Sequence, residues 1–480
     1  MRERLVLLTA ALLAFGASLG SGFHFDDYAI FADPALNSPR GWLEIWTLRQ
    51  TRPLTYLTFW INTGHSAFGF HALNLALHLG AVMLAYECLR RLLPQRAALL
   101  AAAIFGVHPL QAESVDYVWG RSIVLASLLC LASLLAWLRG ARWQAVAWFL
   151  AALLAKEEVA AFPLMMLLLN GKERRAWPPI ATMCMLSLAA GVRVVWALAV
   201  TSGAPAGVQA GISPWHYFLA QGVVIWRYLR LMAIPWGFTV DPEIAVPPVW
   251  LGLAAWAALA AVVVLAWRRE AGPWILAGLL LLLPSSSLFP AADLAADRRM
   301  YLPLLAFAAA GVSLWNTPLR SWLGSEPRAS ASGLAIVLAL LTGLSFARTQ
   351  VWASDESLWR EAVRRAPDKV RPKIQLARAV PAQEALQLLA AAKAQAPDDP
   401  NVAMETGKVL LSQNQPAAAL SEFGRALALN PRDAAAYNNR GAALAALGQA
   451  DAARQDFERA LRLDPTLLSA RQNLQAVQGR

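Results

Sequence analysis

The chain has 480 residues, 58% of them hydrophobic and only 15% charged, with a formal net charge of +11. That is too apolar for a soluble domain and calls for many membrane spans. The cations flank apolar runs and form no basic stripe with interleaved aromatics, which argues against a nucleic-acid partner and fits the positive-inside rule. The apolar excess is confined to residues 1–349, so two modules are expected: a polytopic membrane domain over 1–349 and a soluble helical domain over 350–480.

In chain order, MRER followed by an apolar run reads either as a signal peptide or as a retained first span. The retained span is preferred, because functional-looking residues and further spans follow. Apolar segments recur at about 5–21, 72–89, 97–110, 122–138, 143–155, 159–170, 177–200, 249–266, 273–290, 301–315 and 332–347. Several fall short of the roughly 20 residues that a straight span needs. With MRER inside and sides alternating, the dense basic clusters fall on the cytoplasmic face: Arg90, Arg91 and Arg96; Arg139 and Arg142; Lys172, Arg174 and Arg175; Arg268 and Arg269; Arg320 and Arg328. The expectation is about eleven spans, an inside N-terminus and an outside C-terminus. The run WHYFLAQGVVIWRYLRLMAIPWGF at 215–238 has Arg227 and Arg230 on one helical face and is read as an amphipathic helix on the outer surface. Cys88, Cys130 and Cys184 all sit in apolar runs and suggest buried thiols, not disulfides or zinc.

The soluble tail repeats itself. Pro397, Pro431 and Pro465 are each 34 residues apart, the tetratricopeptide period. The last repeat places Tyr437, Gly441, Leu444, Ala453, Phe457, Ala460 and Pro465 at the motif's positions, and the one before it Gly407, Leu410, Ala419, Phe423, Ala426 and Pro431. The unit from Pro367 to Pro397 spans only 30 residues, so its loop is expected to be shortened. Such an α-solenoid either binds protein along its concave face or caps the membrane domain.

Polar groups beside a membrane are costly and are read first as functional. The outer loops gather His24, Asp26 and Asp27 in GFHFDDYAIF; Arg52; His71, Asn74 and His78 on one helical face; His108, Glu113, Asp116 and Arg121 in HPLQAESVDYVWGR; Lys156 and Glu157; and Asp297, Arg298, Arg299 and Tyr301 in AADRRMYLP. Bland readings exist for each: His71 and His78 as satisfied helix-face residues, Lys156 with Glu157 as a snorkelling pair, Arg298 as an interfacial anchor, the two aspartates as a cap. No HExxH or paired Cys supports zinc, no GxSxG supports a serine hydrolase, and a transporter would place polar groups at mid-bilayer. The set suits a reaction at the outer leaflet, in which an acid deprotonates a hydroxyl and Arg, Lys and His hold a lipid-linked phosphate.

The order DD, RPL, HxxNxxxH, HPLQxExVxxxxGR, KE, DRRMYLP and carboxy-terminal repeats resembles the transmembrane and tetratricopeptide-repeat O-mannosyltransferases and their bacterial relatives, of the GT-C superfamily. The resemblance implies an all-α polytopic bundle with a tetratricopeptide solenoid, and an inverting glycosyltransferase. Its donor would be a sugar, mannose in the family, on a polyprenyl phosphate at the outer leaflet; its acceptor would be a hydroxyl, of protein Ser/Thr in the lead reading. By the same resemblance, Asp26 is the first choice for the base, with Asp27 orienting it or sharing the role. Mutual repulsion of the two carboxylates would raise one pKa. Arg52, Arg121, Lys156 and Arg298 become candidate phosphate or sugar contacts, with His71, His78, His108, Glu113, Glu157 and Tyr301 completing the substrate-binding set. The chain departs from the pattern in AADRRMYLP, where Asp297 stands for a Glu and Arg299 for an aromatic. The implied setting is an inner membrane with the repeats outside the cytoplasm, and no cofactor or metal is expected. Two rival readings are a transferase acting on a glycolipid or glycan, and a non-catalytic membrane scaffold.

Overall fold

The computed structural model describes every residue except 65, 171–172, 201–210, 268, 270, 288, 292, 316–326 and 479–480. Of the expected cytoplasmic cations, Lys172, Arg268 and Arg320 lie outside the described residues. Every regular element among the described residues is helical, as an all-α fold requires. The chain divides into two compact units, Met1–Ser354 and Asp355–Arg480.

Unit 1 contains α1 (Arg2–Phe15), α2 (Asp27–Ala32), α3 (Pro34–Asn37), α4 (Gly41–Glu44), α5 (Pro53–Asn62), α6 (Ala67–Leu89), α7 (Gln95–Val107), α8 (Ala112–Val115), α9 (Arg121–Leu138), α10 (Arg142–Ala155), α11 (Phe162–Asn170), α12 (Trp177–Val200), α13 (Pro214–Ala233), α14 (Val249–Trp267), α15 (Gly272–Leu282), α16 (Pro303–Trp315) and α17 (Pro327–Val351). Each apolar run of the sequence is helical for most of its length. Length separates them: among the described residues, five helices are long and apolar enough to cross a membrane, or up to seven if two bent pairs are each taken as one span. Arg142–Ala155, Gly272–Leu282 and Pro303–Leu314 are shorter apolar helices. At 1.5 Å per residue, 14 residues reach only about 21 Å of a hydrocarbon core about 30 Å thick.

Burial grades the spans. In α9, 83% of the span is buried, against 17% for α12 and for α14, whose apolar sides are outward and suit a bilayer. The short α10 is held against α9 by the Ser133 hydroxyl, which donates to the Ala145 carbonyl at 2.7 Å. The run read as an amphipathic surface helix buries one side against the unit. Tyr217, Leu219, Val224, Ile225, Tyr228 and Leu231 of α13 are buried, several in a core with Leu259, Leu282, Met300 and Phe307. Its Arg227 donates to Asp297 at 2.6 Å. Arg230, on the same face, is exposed.

The two ends of the helices are chemically distinct. At one end Glu87 accepts from Arg4 at 2.6 Å, Arg90 at 2.8 Å and Arg91 at 3.3 Å, while Glu3 accepts from Gln95 at 2.9 Å and from Tyr86. Arg142 pairs with Glu173 across the next two loops. The connections at the other end carry the candidate site.

In unit 2, helices Pro400–Ser412 and Pro416–Leu429 form one repeat, and Ala434–Ala446 and Ala450–Leu463 the next. The small residue is required sterically: a Cβ on Gly407 would lie 2.5 Å from the Phe423 ring, and one on Gly441 2.7 Å from Phe457. The turn between paired helices needs a left-handed residue, met by Asn414 (φ 56°) in one repeat and Gly448 (φ 77°) in the next. The 30-residue unit is shortened mainly in its first helix. Val370–Ala377 has 8 residues where the equivalent helices have 13.

Candidate functional site

The paired aspartates open α2, and the fold gives them opposite environments. Asp27 is fully buried; its Oδ2 accepts from the His24 amide at 3.0 Å and its Oδ1 from the Trp119 amide at 2.7 Å. Burial pushes the Asp27 carboxyl up to about 7; these amides and His24 oppose the shift, and the Asp26 charge adds the smallest part. At Asp27 desolvation thus outweighs carboxylate repulsion as the cause. Asp26 is exposed, and its Oδ2 accepts from the Tyr117 hydroxyl at 2.8 Å. An exposed, anchored carboxylate is suited to meet a substrate hydroxyl, whereas Asp27 is suited to hold the loop.

The cations are ordered by carboxylates from other loops. Arg52 donates to Glu157 through Nε at 3.0 Å and through a terminal nitrogen at 2.5 Å. This bidentate pair ties the start of α5 to the turn after α10. Lys156 lies 3.2 Å from Glu158, so in place of the bland Lys156–Glu157 pair the structure has two pairs, Arg52–Glu157 and Lys156–Glu158. Lys156 itself is extended, at φ −160° and ψ 130°, and caps the 3-10 turn Glu157–Ala161 that contains its partner Glu158. Burial pulls the Lys156 ammonium down to about 8 despite Glu158, with Arg52 and Arg298 adding to the effect. Burial alone would raise Glu157, but Arg52 outweighs it and holds that carboxylate down to about 2.

Glu113, nearly buried, accepts from the Arg298 amide at 3.1 Å and from its guanidinium. Asp293 lies 3.8 Å from the same guanidinium. The charges of Arg298 and Lys156 act on one another, and Arg298 acts on Tyr117. Base candidate, tyrosine and cations thus belong to one electrostatic cluster, built from the segments after α1, before α5, after α7, after α10 and before α16. Among the described residues no group of three or more His, Cys, Asp or Glu side chains gathers to hold a metal ion.

The remaining predicted residues are spent on the frame. Arg121 is fully buried; it donates to Asn74 Oδ1 at 2.7 Å, to Thr58 O at 3.1 Å and to Phe70 O at 2.9 Å, and lies over the Phe59 and Phe70 rings. A guanidinium so occupied braces three elements and has little left for a phosphate. His78 donates from Nε2 to Gly106 O at 3.0 Å, so its Nδ1 accepts from the Tyr301 hydroxyl at 2.8 Å. Both are buried, and each satisfies the other. His108 donates to Met232 O at 3.0 Å while its Nδ1 accepts from the Leu110 amide at 3.1 Å, capping the 3-10 turn Pro109–Gln111. His71 donates to Gly22 O at 3.0 Å, holding the strand-like approach to Asp26.

Sequence reasoning missed Tyr117, Glu158, Asp293 and the structural use of Asn74, whose amide donates to Val115 O and Tyr117 O. Tyr117 sits inside the motif that was singled out, between Asp116 and Arg121, but an aromatic at a bilayer edge gives no sign of a polar partner 91 positions away.

The tetratricopeptide-repeat family model matches residues 404–467. Protein O-mannosyl-transferase TMTC1 of Homo sapiens is 35% identical over 154 residues, which cover 28% of this chain and 18% of that protein. Protein O-mannosyl-transferase TMTC4 of Homo sapiens is 34% identical over 171 residues, covering 29% and 23%. The chain thus matches less than a quarter of these relatives' own lengths. Among solved structures, the first tetratricopeptide domain of human RPAP3 is 25% identical, with a TM-score of 0.23, covering 24% of this chain and 92% of that one. The chain is a membrane-helix protein with tetratricopeptide repeats, similar over part of its length to the protein O-mannosyl-transferases.

Proposed function

We propose that this protein is an inverting glycosyltransferase of the outer membrane face, moving a sugar from a polyprenyl-phosphate donor to a hydroxyl of a protein. The observation that carries the reading is the exposed, tyrosine-anchored Asp26 in one electrostatic cluster with Arg298 and Lys156. The partial likeness to protein O-mannosyl-transferases supports it.

In this reading Asp26 takes the proton of the acceptor hydroxyl as its oxygen attacks the anomeric carbon. The bond from that carbon to the phosphate oxygen breaks, and the polyprenyl phosphate leaves with the electron pair. The donor phosphodiester carries one negative charge and the leaving phosphate gains more, so cations in place beforehand favour the transition state over the ground state. Arg298 and Lys156 fill that role, and Arg52, locked to Glu157, shapes the opening. Their carboxylate partners keep them ordered when no phosphate is bound. The bundle end that carries Asp26 faces away from the cytoplasm, and the basic clusters at the opposite ends of the same helices support that orientation. The repeats bind protein, either acceptor or partner.

The test supplies isolated membranes with labelled polyprenyl-phosphate hexoses and compares the wild type with Asp26→Asn at matched expression. Transfer to protein should fall at least about 100-fold in the variant. Equal transfer by both would remove Asp26 as the base, and label entering lipid or glycan only would replace the protein acceptor.

A further inference from the structure

We infer that Tyr117 is a positioning residue for Asp26, its hydroxyl pinning one carboxylate oxygen so that the other is presented to the acceptor. The inference rests on the glycosyltransferase reading above and names the group that orients its base.

The hydroxyl of Tyr117 donates to Asp26 Oδ2 at 2.8 Å. Asp26 Oδ1 accepts no hydrogen bond from the described residues, so the two oxygens are inequivalent. The tyrosine ring is itself immobilised. It is buried, stacked on Trp352 with centroids 5.8 Å apart at 27°, and it meets Phe25 at 4.8 Å. Its carbonyl accepts from Asn74 Nδ2 at 3.0 Å, and Asn74 in turn accepts from the buried Arg121 at 2.7 Å. Two residues on, the Trp119 amide holds Asp27. One short segment therefore grips both acids, Asp26 by a side chain and Asp27 by the backbone.

That arrangement answers a mechanical problem. Asp26 is exposed at the start of a six-residue helix, and as N-cap it makes no side-chain cap hydrogen bond. Without a partner its χ1 would sample several wells, and an attacking oxygen misplaced by about 1 Å can cost about 100-fold in rate. A phenol clamped between aromatics supplies one directional donor with almost no freedom of its own. Burial and the nearby aspartates push the Tyr117 phenol well up from its ordinary range, so it stays a donor at working pH. The charge of Arg298 also acts on the Tyr117 phenol.

The test is Tyr117→Phe, which keeps the ring stack and removes only the hydroxyl. Transfer kcat should fall about 10- to 100-fold with KM for donor and acceptor within about twofold. In an Asp26→Asn background the same change should cause no further loss, since the two act as a unit. Unchanged kcat in Tyr117→Phe would overturn the inference, and so would a loss shared equally with KM or with melting temperature. A second readout needs no turnover: carbodiimide labelling of Asp26, read by mass spectrometry, should quicken at least threefold when the hydroxyl is removed and Oδ2 is freed. If wild-type membranes transfer no sugar, the glycosyltransferase reading fails. The labelling then decides Tyr117 by itself, with a quickened rate supporting the clamp and an unchanged rate overturning it.

Discussion

Replacing Asp27 by Asn should make the protein less sensitive to pH. In the fold the Asp27 carboxyl is raised from its ordinary 3.8 to about 7, chiefly by burial. An acid with a raised folded-state pKa binds its proton more tightly in the native than in the unfolded chain. Its contribution is full below pH 4, declines as pH rises, and is lost above about 7. About three pH units at about 1.4 kcal/mol each make a loss of about 4 kcal/mol, of which about 3 falls between pH 5 and pH 8. Asparagine carries no charge to desolvate but can accept only one of the two amides, from His24 and Trp119, that Asp27 now satisfies. The orphaned amide costs about 1–3 kcal/mol at every pH. Asp27→Asn should therefore be neutral or weaker than wild type at pH 5 and stronger at pH 8. The check is the melting midpoint of both proteins in the same detergent across pH 5–8, where groups common to both cancel in the difference. Parallel pH profiles, or a variant that melts lower at pH 8 by more than at pH 5, would refute burial as the origin of the shift.

Glu113→Gln should destabilise by about 3 kcal/mol, because the Arg298 guanidinium loses its close carboxylate partner and is left with Asp293 at 3.8 Å and the charge of Glu158; melting shows this, and removing Arg298 as well should recover much of the loss. Lys156, lowered to about 8 from 10.5, loses its charge as pH rises through 8, so donor KM should climb up to about tenfold per pH unit above that point. Lys156→Arg stays charged and should abolish this alkaline limb; an identical limb in the variant would sink the assignment. Gly407→Val puts carbon into the Phe423 ring and should cost about 1–3 kcal/mol, read as faster limited proteolysis within residues 400–463.

How far the sequence could be read depends on range. Helices, repeats and the two-faced distribution of charge follow from neighbours a few residues apart. The period Pro397, Pro431, Pro465 marked the repeats, and the small-over-aromatic pairs Gly407–Phe423 and Gly441–Phe457 pack as the motif demands. The apolar runs are helical, though among the described residues five of the helices, or up to seven spans with two bent pairs, are long enough to cross a membrane. The roles of the candidate residues were not legible. Arg121 and Arg298 look alike in sequence. One is consumed by Asn74, Thr58 O and Phe70 O in the interior, while the other answers Glu113 from 185 positions away.

What the sequence determined by itself is therefore the class: a chain too apolar for water over 349 residues, a tail with a 34-residue period, and dense basic clusters on alternate loops. Tertiary structure alone decided which acid is exposed. Asp26 and Asp27 are chemically identical neighbours, and helical geometry sends their side chains in different directions, one into the His24 and Trp119 amides and one towards solvent and Tyr117. Desolvation depends on everything packed around a carboxylate, and that surrounding is assembled from segments far apart in the chain.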